Sequence, residues 1–416
     1  MTAIVGVLNK RGVAIAADSA VTVTVGDNTK IYNTSQKIFP LSEKNPIAVM
    51  TFDKASFMDV PCGVLIDLYR KERGNKSFAT VQDYAKDFIA FIGNSEHTTG
   101  KEGQKNYRLR EMLCVYNRLT DAVKARADEE IDSLESPSNE KKAEVIQRHR
   151  QEVDEEFSNL CAAADKVGSA KHLSYKRFLR LYDDDITYLI SDILGQKWSE
   201  EEREKWSRHF YRYLTSQFLY NTTGLVFIGF GKKEIYPSSY AIVVSGVFKD
   251  GLRWHEYDQD AITNDHSSLI LPFAQTDVMM TMMKGIAPSF YEQLIDSHKA
   301  SLSTAKERML AKMAEMGIPQ QTIDQFSDMD FDDIHKEYVD KSEAYIDENY
   351  INGIVDAVAS FNIEDMANMA ESLISITALQ RHISLSEESV GGPVEVAVIT
   401  RESGFQWVKH RKWPPV

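Results

Sequence analysis

Two apolar runs around a short turn constrain the fold of this chain most. Residues 3–8 (AIVGVL) and 13–17 (VAIAA) flank Asn9-Lys10-Arg11-Gly12. Short apolar runs bounded by turn residues read as strands buried on both faces, and Gly12 supplies a backbone conformation suited to the turn. The pair is a hairpin that starts at the second residue. A hairpin returns its far end to its beginning, so Asp18, just past the second run, is expected beside Thr2.

The rest of the chain can support such a buried hairpin. Its 416 residues are 43% hydrophobic and 26% charged, enough apolar material for a sizeable core in one large domain or several smaller ones. A net charge of -14 argues against a general nucleic-acid binder, which presents a basic surface. The three cysteines, Cys62, Cys114 and Cys161, form no CxxC pair, which points to a reducing compartment and away from a disulfide framework or a zinc site. His209, His255 and His266 are scattered without metal-ligand spacing, so no metal is expected. No export-signal pattern opens the sequence, and no apolar run approaches the ~18 residues of a membrane span. The expected location is cytoplasmic, without nucleic-acid or membrane partners.

Three regions follow from the pattern. Residues 1–97 and 221–416 mix strands with helices, and residues 98–220 are almost wholly helical in character. The first region holds a strand at 47–51 and helices near 56–73 and 81–92, with Thr80 capping the latter. In the middle region, Ser136-Pro137-Ser138-Asn139 marks a turn between helices, and Ser199 with Glu202 forms a capping box. In the last region, strands are expected at 224–230 and 240–248, with an acidic helical stretch at 301–347. Asn362 caps a helix to about residue 382, and Gly391-Gly392-Pro393 leads to strands at 394–399 and 405–408. Two sheets with helices outside them satisfy this order of elements. The run VMMTMMKG (278–285) reads as core packing on a helix, and GFGKKE lacks the spacing of a phosphate loop.

The chemistry concentrates at the front. Thr2 begins the first strand, Asp18 ends the second, and Lys37 lies in SQKIFPL, which reads as a further short strand; Lys30 competes for the same role. A threonine hydroxyl is a weak nucleophile until a base takes its proton. Removal of Met1 would give Thr2 a free α-amine, whose pKa of about 7.7–8.0 suits a base near neutral pH. A nearby lysine ammonium lowers the pKa of neighbouring groups and stabilises developing negative charge, and an aspartate orients that lysine.

The segment TAIVGVLNKRGVAIAADSAVT followed by KIF resembles the start of a proteasome β-type subunit. It is also similar to the peptidase subunit of the bacterial two-component ATP-dependent protease. These are N-terminal-nucleophile hydrolases, and the resemblance implies an α+β chain folded as a four-layer αββα sandwich, here with residues 98–220 as a long helical insertion. It implies Thr2 as nucleophile after loss of Met1, Asp18 as its acidic partner and Lys37 as the catalytic lysine. IAVMTFDKASFM matches the segment that supplies the oxyanion-hole amide, with Thr51 where the family usually has glycine. GLVFIGFGKKEIYPSSYAIVVSGVFKDG resembles the family's central hairpin. The segment from Asn362 to Phe405 resembles its last helix, glycine turn and terminal strands. There the family places an aspartate and a serine near the nucleophile; Glu387 takes the aspartate's place, Val390 stands at the serine's register, and Ser389 lies beside it.

The resemblance covers about half the chain. It implies a threonine-type peptidase or amidohydrolase acting on peptide or protein substrates without a cofactor. A homo-oligomer is expected, with an ATPase or other protein partner engaged through the helical insertion. Two alternatives keep the fold: a non-catalytic scaffold whose insertion binds a partner, and a small-molecule amidase.

Overall fold

The computed structural model describes residues 2–25, 28–94, 98, 100–217, 219–384 and 390–410. The described strands are β1 (Ala3–Asn9), β2 (Gly12–Ala17), β3 (Val21–Val25), β4 (Asn28–Tyr32), β5 (Ile38–Pro40), β6 (Ile47–Asp53), β7 (Ser56–Phe57), β8 (Val60–Pro61), β9 (Thr223–Gly229), β10 (Ser238–Phe248), β11 (Gly251–Ala261), β12 (Ser268–Ala274), β13 (Glu395–Thr400) and β14 (Gly404–Lys409). Paired strands run antiparallel, and with the helices between them they make an α+β protein. No described helix is long and apolar enough to cross a membrane.

The chain divides into two compact units. One comprises residues 1–38 and 261–416, the other residues 39–260. The boundary falls just after Lys37, and residues 98–220 belong wholly to the second unit.

The first unit is built on a five-stranded sheet in the order β12-β1-β2-β13-β14. The opening hairpin lies at its centre, with Ile4 opposite Ala17 and Asn9 opposite Gly12. Both strands are buried along their full length, as their uninterrupted apolar runs require. One face of the sheet packs on the helix Ile363–Ile383. Met366, Ala370, Leu373 and Ile374 of that helix meet Ala3, Val5, Val7, Ala14, Ala16, Val396 and Val398. Asn362 caps this helix by accepting the Asp365 amide at 2.9 Å. The methionine-rich helix Asp277–Lys284 contributes Met279 and Met283 to the same core, while Met282 faces outward.

The second unit is built on the sheet β11-β10-β9-β6-β5. The helices Lys101–Ser133, Asn139–Ala163, Tyr175–Tyr188 and Glu200–Thr215 fill residues 101–215 and share its hydrophobic core. In the turn expected at 136–139, Ser138 accepts from the Lys141 amide, and Ser199 with Glu202 forms the expected reciprocal box. A buried polar network ties the helices to the sheet. Arg253 of β11 is fully buried; its guanidinium donates to the Tyr107 hydroxyl at 2.6 Å and to the Tyr213 carbonyl at 2.9 Å. Glu111 accepts from the Tyr213 hydroxyl at 2.6 Å and from the Asn221 amide at 3.1 Å.

The first helix of this unit, expected from about residue 56, begins at Cys62. Met58 and Asp59 take positive φ angles of 49° and 65°, which no helix accommodates, so residues 56–61 form the small β7–β8 ladder instead. Pro61 then precedes the first helical turn.

Removing one partner of a buried ionic network strands the other in a low-dielectric interior. Arg253→Met is expected to destabilise the protein by about 3–5 kcal/mol, measured as a lower urea midpoint. An unchanged midpoint would contradict the network's role in docking the helices.

Candidate active site

Asp18 closes the opening hairpin. Its backbone amide donates to the Ala3 carbonyl at 3.1 Å, continuing the β1–β2 ladder one step past the strand. Its side chain then takes over the ladder's work. Oδ1 accepts the Ala3 amide at 2.9 Å, the amide that follows Thr2. Thr2 itself is buried, and its carbonyl accepts the Gln275 amide at 3.1 Å, which holds the start of β1 against the segment after β12.

Lys37 approaches the same carboxylate. Its Nζ donates to Asp18 Oδ1 at 2.6 Å, and both residues are almost wholly inaccessible, at 4% and 1% exposure. This is a desolvated charge pair rather than a surface one. Burial pushes the Lys37 ammonium below its ordinary pKa of 10.5, and the carboxylates of Asp18 and Glu395 work against that fall. Lys30, the rival lysine, is exposed on β4 and lies 5.0 Å from the centre of the Tyr32 ring.

The loop before β13 completes the cradle. Asp18 Oδ2 accepts from the Ala20 amide at 3.1 Å and from the Gly391 amide at 3.3 Å. Ser19 binds the same loop: its amide donates to the Gly391 carbonyl at 3.2 Å and its hydroxyl to the Pro393 carbonyl at 2.7 Å. Its carbonyl accepts the Ser35 amide at 3.0 Å, which anchors the segment carrying Lys37. Gly392 runs through with φ at 75°, and a Cβ there would sit 2.7 Å from Asn33 Cβ and 2.8 Å from Ser19 Oγ. Only glycine meets both demands.

The structure thus brings Thr2, Asp18 and Lys37 to one end of the first unit's sheet. Thr51 lies in the second unit, buried within β6 and opposite Leu225 of β9. Glu387 and Ser389 fall outside the described residues. Sequence reasoning passed over three contributors: the Gly391 amide, Ser19 and Glu395. The doublet Gly391-Gly392 before Pro393 signals a special turn, but nothing local says that its amide reaches Asp18.

No family model matches the chain, and no curated protein matches it. Among solved structures it is similar to Anbu proteins. A mutant of Anbu from Hyphomicrobium sp. strain MC1 is 9% identical, with 99% of this chain and 86% of that chain covered and a TM-score of 0.29. Anbu from the same strain is 8% identical, with 98% and 85% covered and a TM-score of 0.29. Anbu (ancestral beta-subunit) from Yersinia bercovieri is 7% identical, with 98% and 86% covered and a TM-score of 0.27. Likeness of this degree does not establish a common fold, and the chemistry of the site rests on its own residues.

Asp18→Asn would leave the Lys37 ammonium buried without its counter-charge and is expected to cost about 3–5 kcal/mol. The double variant Asp18→Asn with Lys37→Met should lose less than the sum of the two single changes, by at least about 1 kcal/mol. Urea unfolding of the four proteins measures this coupling. Additive losses would contradict a direct pairing.

Proposed function

We propose that this chain is an N-terminal threonine hydrolase that cleaves amide bonds, most naturally peptide bonds, through an acyl-enzyme on Thr2. The observation that carries the reading is the buried Lys37–Asp18 pair at 2.6 Å, with the same Asp18 oxygen bonded to the amide that follows Thr2. A buried ion pair is an expensive way to stabilise a sheet end. Here it stands beside a threonine that becomes N-terminal when Met1 is removed.

In this reading the Thr2 hydroxyl oxygen attacks the substrate carbonyl carbon, and the Thr2 α-amine takes the hydroxyl proton. The tetrahedral intermediate collapses as the carbon–nitrogen bond breaks, and the proton passes to the leaving amine. Water then attacks the resulting ester, and the same amine accepts its proton and returns one to Thr2 Oγ. The Lys37 ammonium depresses the pKa of the α-amine and stabilises the negative charge that develops. Asp18 holds that ammonium in place. The Thr51 amide as oxyanion donor and Glu387 with Ser389 beside the nucleophile belong to the same proposal. So do the four-layer αββα sandwich, a homo-oligomeric assembly, and a protein partner for the helical region at 98–220.

Thr2→Ala is expected to reduce hydrolysis of peptide or small-amide substrates by at least about a thousandfold, the scale on which loss of a nucleophile acts. Turnover unchanged by this substitution would overturn the assignment of Thr2 as the nucleophile.

The pH profile carries a second expectation. The ammonium form of Lys37 is the active one in this mechanism, and burial holds its pKa below 10.5. Activity should therefore fall on the alkaline side before a surface lysine would titrate. An alkaline limb at or above 10.5 would contradict the role given to buried Lys37.

A further inference from the structure

Glu395 is the first residue of β13 and is 6% exposed. Its Oε1 lies 3.0 Å from His410 Nδ1. Its Oε2 is buried and has no hydrogen-bond partner among the described residues. A buried carboxylate oxygen left unpaired is costly, and an apolar side chain in its place would be cheaper. The oxygen therefore calls for a reason.

The register of the sheet supplies one. Glu395 stands opposite Ala17 of β2, and Ala17 stands opposite Ile4 of β1. Ala3, Val5, Ala16 and Val396 point into the core beneath the helix Ile363–Ile383. Side chains alternate along a strand, so Glu395, Ala17, Ile4 and Thr2 share the opposite face. With neighbouring strands about 4.8 Å apart and residues about 3.4 Å apart along each, the Glu395 and Thr2 backbones lie roughly 12 Å from one another. The Lys37 ammonium feels the Glu395 charge as well as that of Asp18.

We propose that Glu395, steadied by His410, is a positioning residue of the Thr2 site that keeps Lys37 in its ammonium form. The proposal rests on the hydrolase reading and deepens it. The charged groups around Glu395 divide cleanly. Asp18, one residue past the Ala17 that stands opposite Glu395, is paired with Lys37 at this end of the sheet. His410 follows β14, and its ring stacks on Trp407 with centroids 4.0 Å apart. Lys409 on β14 is engaged elsewhere, in an ion pair with Glu371 of the helix Ile363–Ile383. Removing the Glu395 charge takes away a carboxylate that opposes deprotonation, so Lys37 must lose its proton at lower pH.

The test compares the full-length wild type, Glu395→Gln and His410→Ala. Lysine labelled with 13C at Cε, with Lys37→Arg to assign the signal, reports the Lys37 titration midpoint without any need for turnover. The midpoint should move to lower pH in Glu395→Gln. It should move the same way by less in His410→Ala, where the Glu395 carboxylate loses the ring that fixes its position. The alkaline limb of amide hydrolysis should follow, with a several-fold loss at high pH. A Lys37 midpoint in Glu395→Gln equal to that of the wild type would overturn the proposal. If Glu395→Gln does not fold, an unmoved midpoint in His410→Ala, a change at a solvent-facing residue, overturns it equally. Absence of Thr2-dependent turnover in the wild type would defeat the hydrolase reading, whereas the titration separately decides whether Glu395 holds the proton on Lys37.

Discussion

One carboxylate organises the front of this molecule. Asp18 accepts the amides of Ala3, Ala20 and Gly391 and the ammonium of Lys37. Each oxygen takes two donors, so the buried charge is met on all sides, the condition under which burying a carboxylate is tolerable. Four pieces of chain that are distant in sequence converge on it: the start of β1, the exit of β2, the segment leading to β5 and the loop before β13. No neutral side chain of similar size could do this. Asparagine offers one acceptor oxygen where four donors arrive.

The convergence explains features that otherwise look unrelated. Ser19 binds the loop at 391–393 from the next position along, so two consecutive residues clamp it. Gly392 adopts positive φ and leaves no room for a Cβ, which allows the loop to pass close to Asn33 and Ser19. Lys37 is buried because its partner is buried. The cost of desolvating its ammonium shows in a pKa held below the usual lysine value. A lysine held on the same carboxylate oxygen as the Ala3 amide is poised electrostatics, the kind that helps a weak base and a developing oxyanion.

Much of this was legible in the sequence because it is local. The opening hairpin follows from two apolar runs and a turn, and the hairpin alone dictates that Asp18 returns toward Thr2. Helix caps at Thr80, Ser199 and Asn362 follow from residue type and spacing. What was not legible depends on contacts through space. β11, with its sequence GLRWHEYDQDA, carries charges along a strand that is largely exposed, so its pattern does not read as sheet. Arg253 within it is fully buried only because Tyr107, Tyr213 and Ser216 surround its guanidinium. Nothing local in GPVEVAVIT marks Glu395 as buried, and its burial emerges only when β13 is laid beside β2. The start of the first helix of the second unit was misjudged because the positive φ angles of Met58 and Asp59 leave no mark in composition.

The central claim is that Thr2 becomes the N-terminal residue and acts as the nucleophile. The most direct measurement is intact-mass and peptide mass spectrometry of the protein after treatment with an electrophile for N-terminal threonine, a β-lactone or an epoxyketone. The account predicts a chain lacking Met1 that carries one adduct, localised to Thr2 and absent from Thr2→Ala. A chain that retains Met1 and takes up no adduct would contradict it.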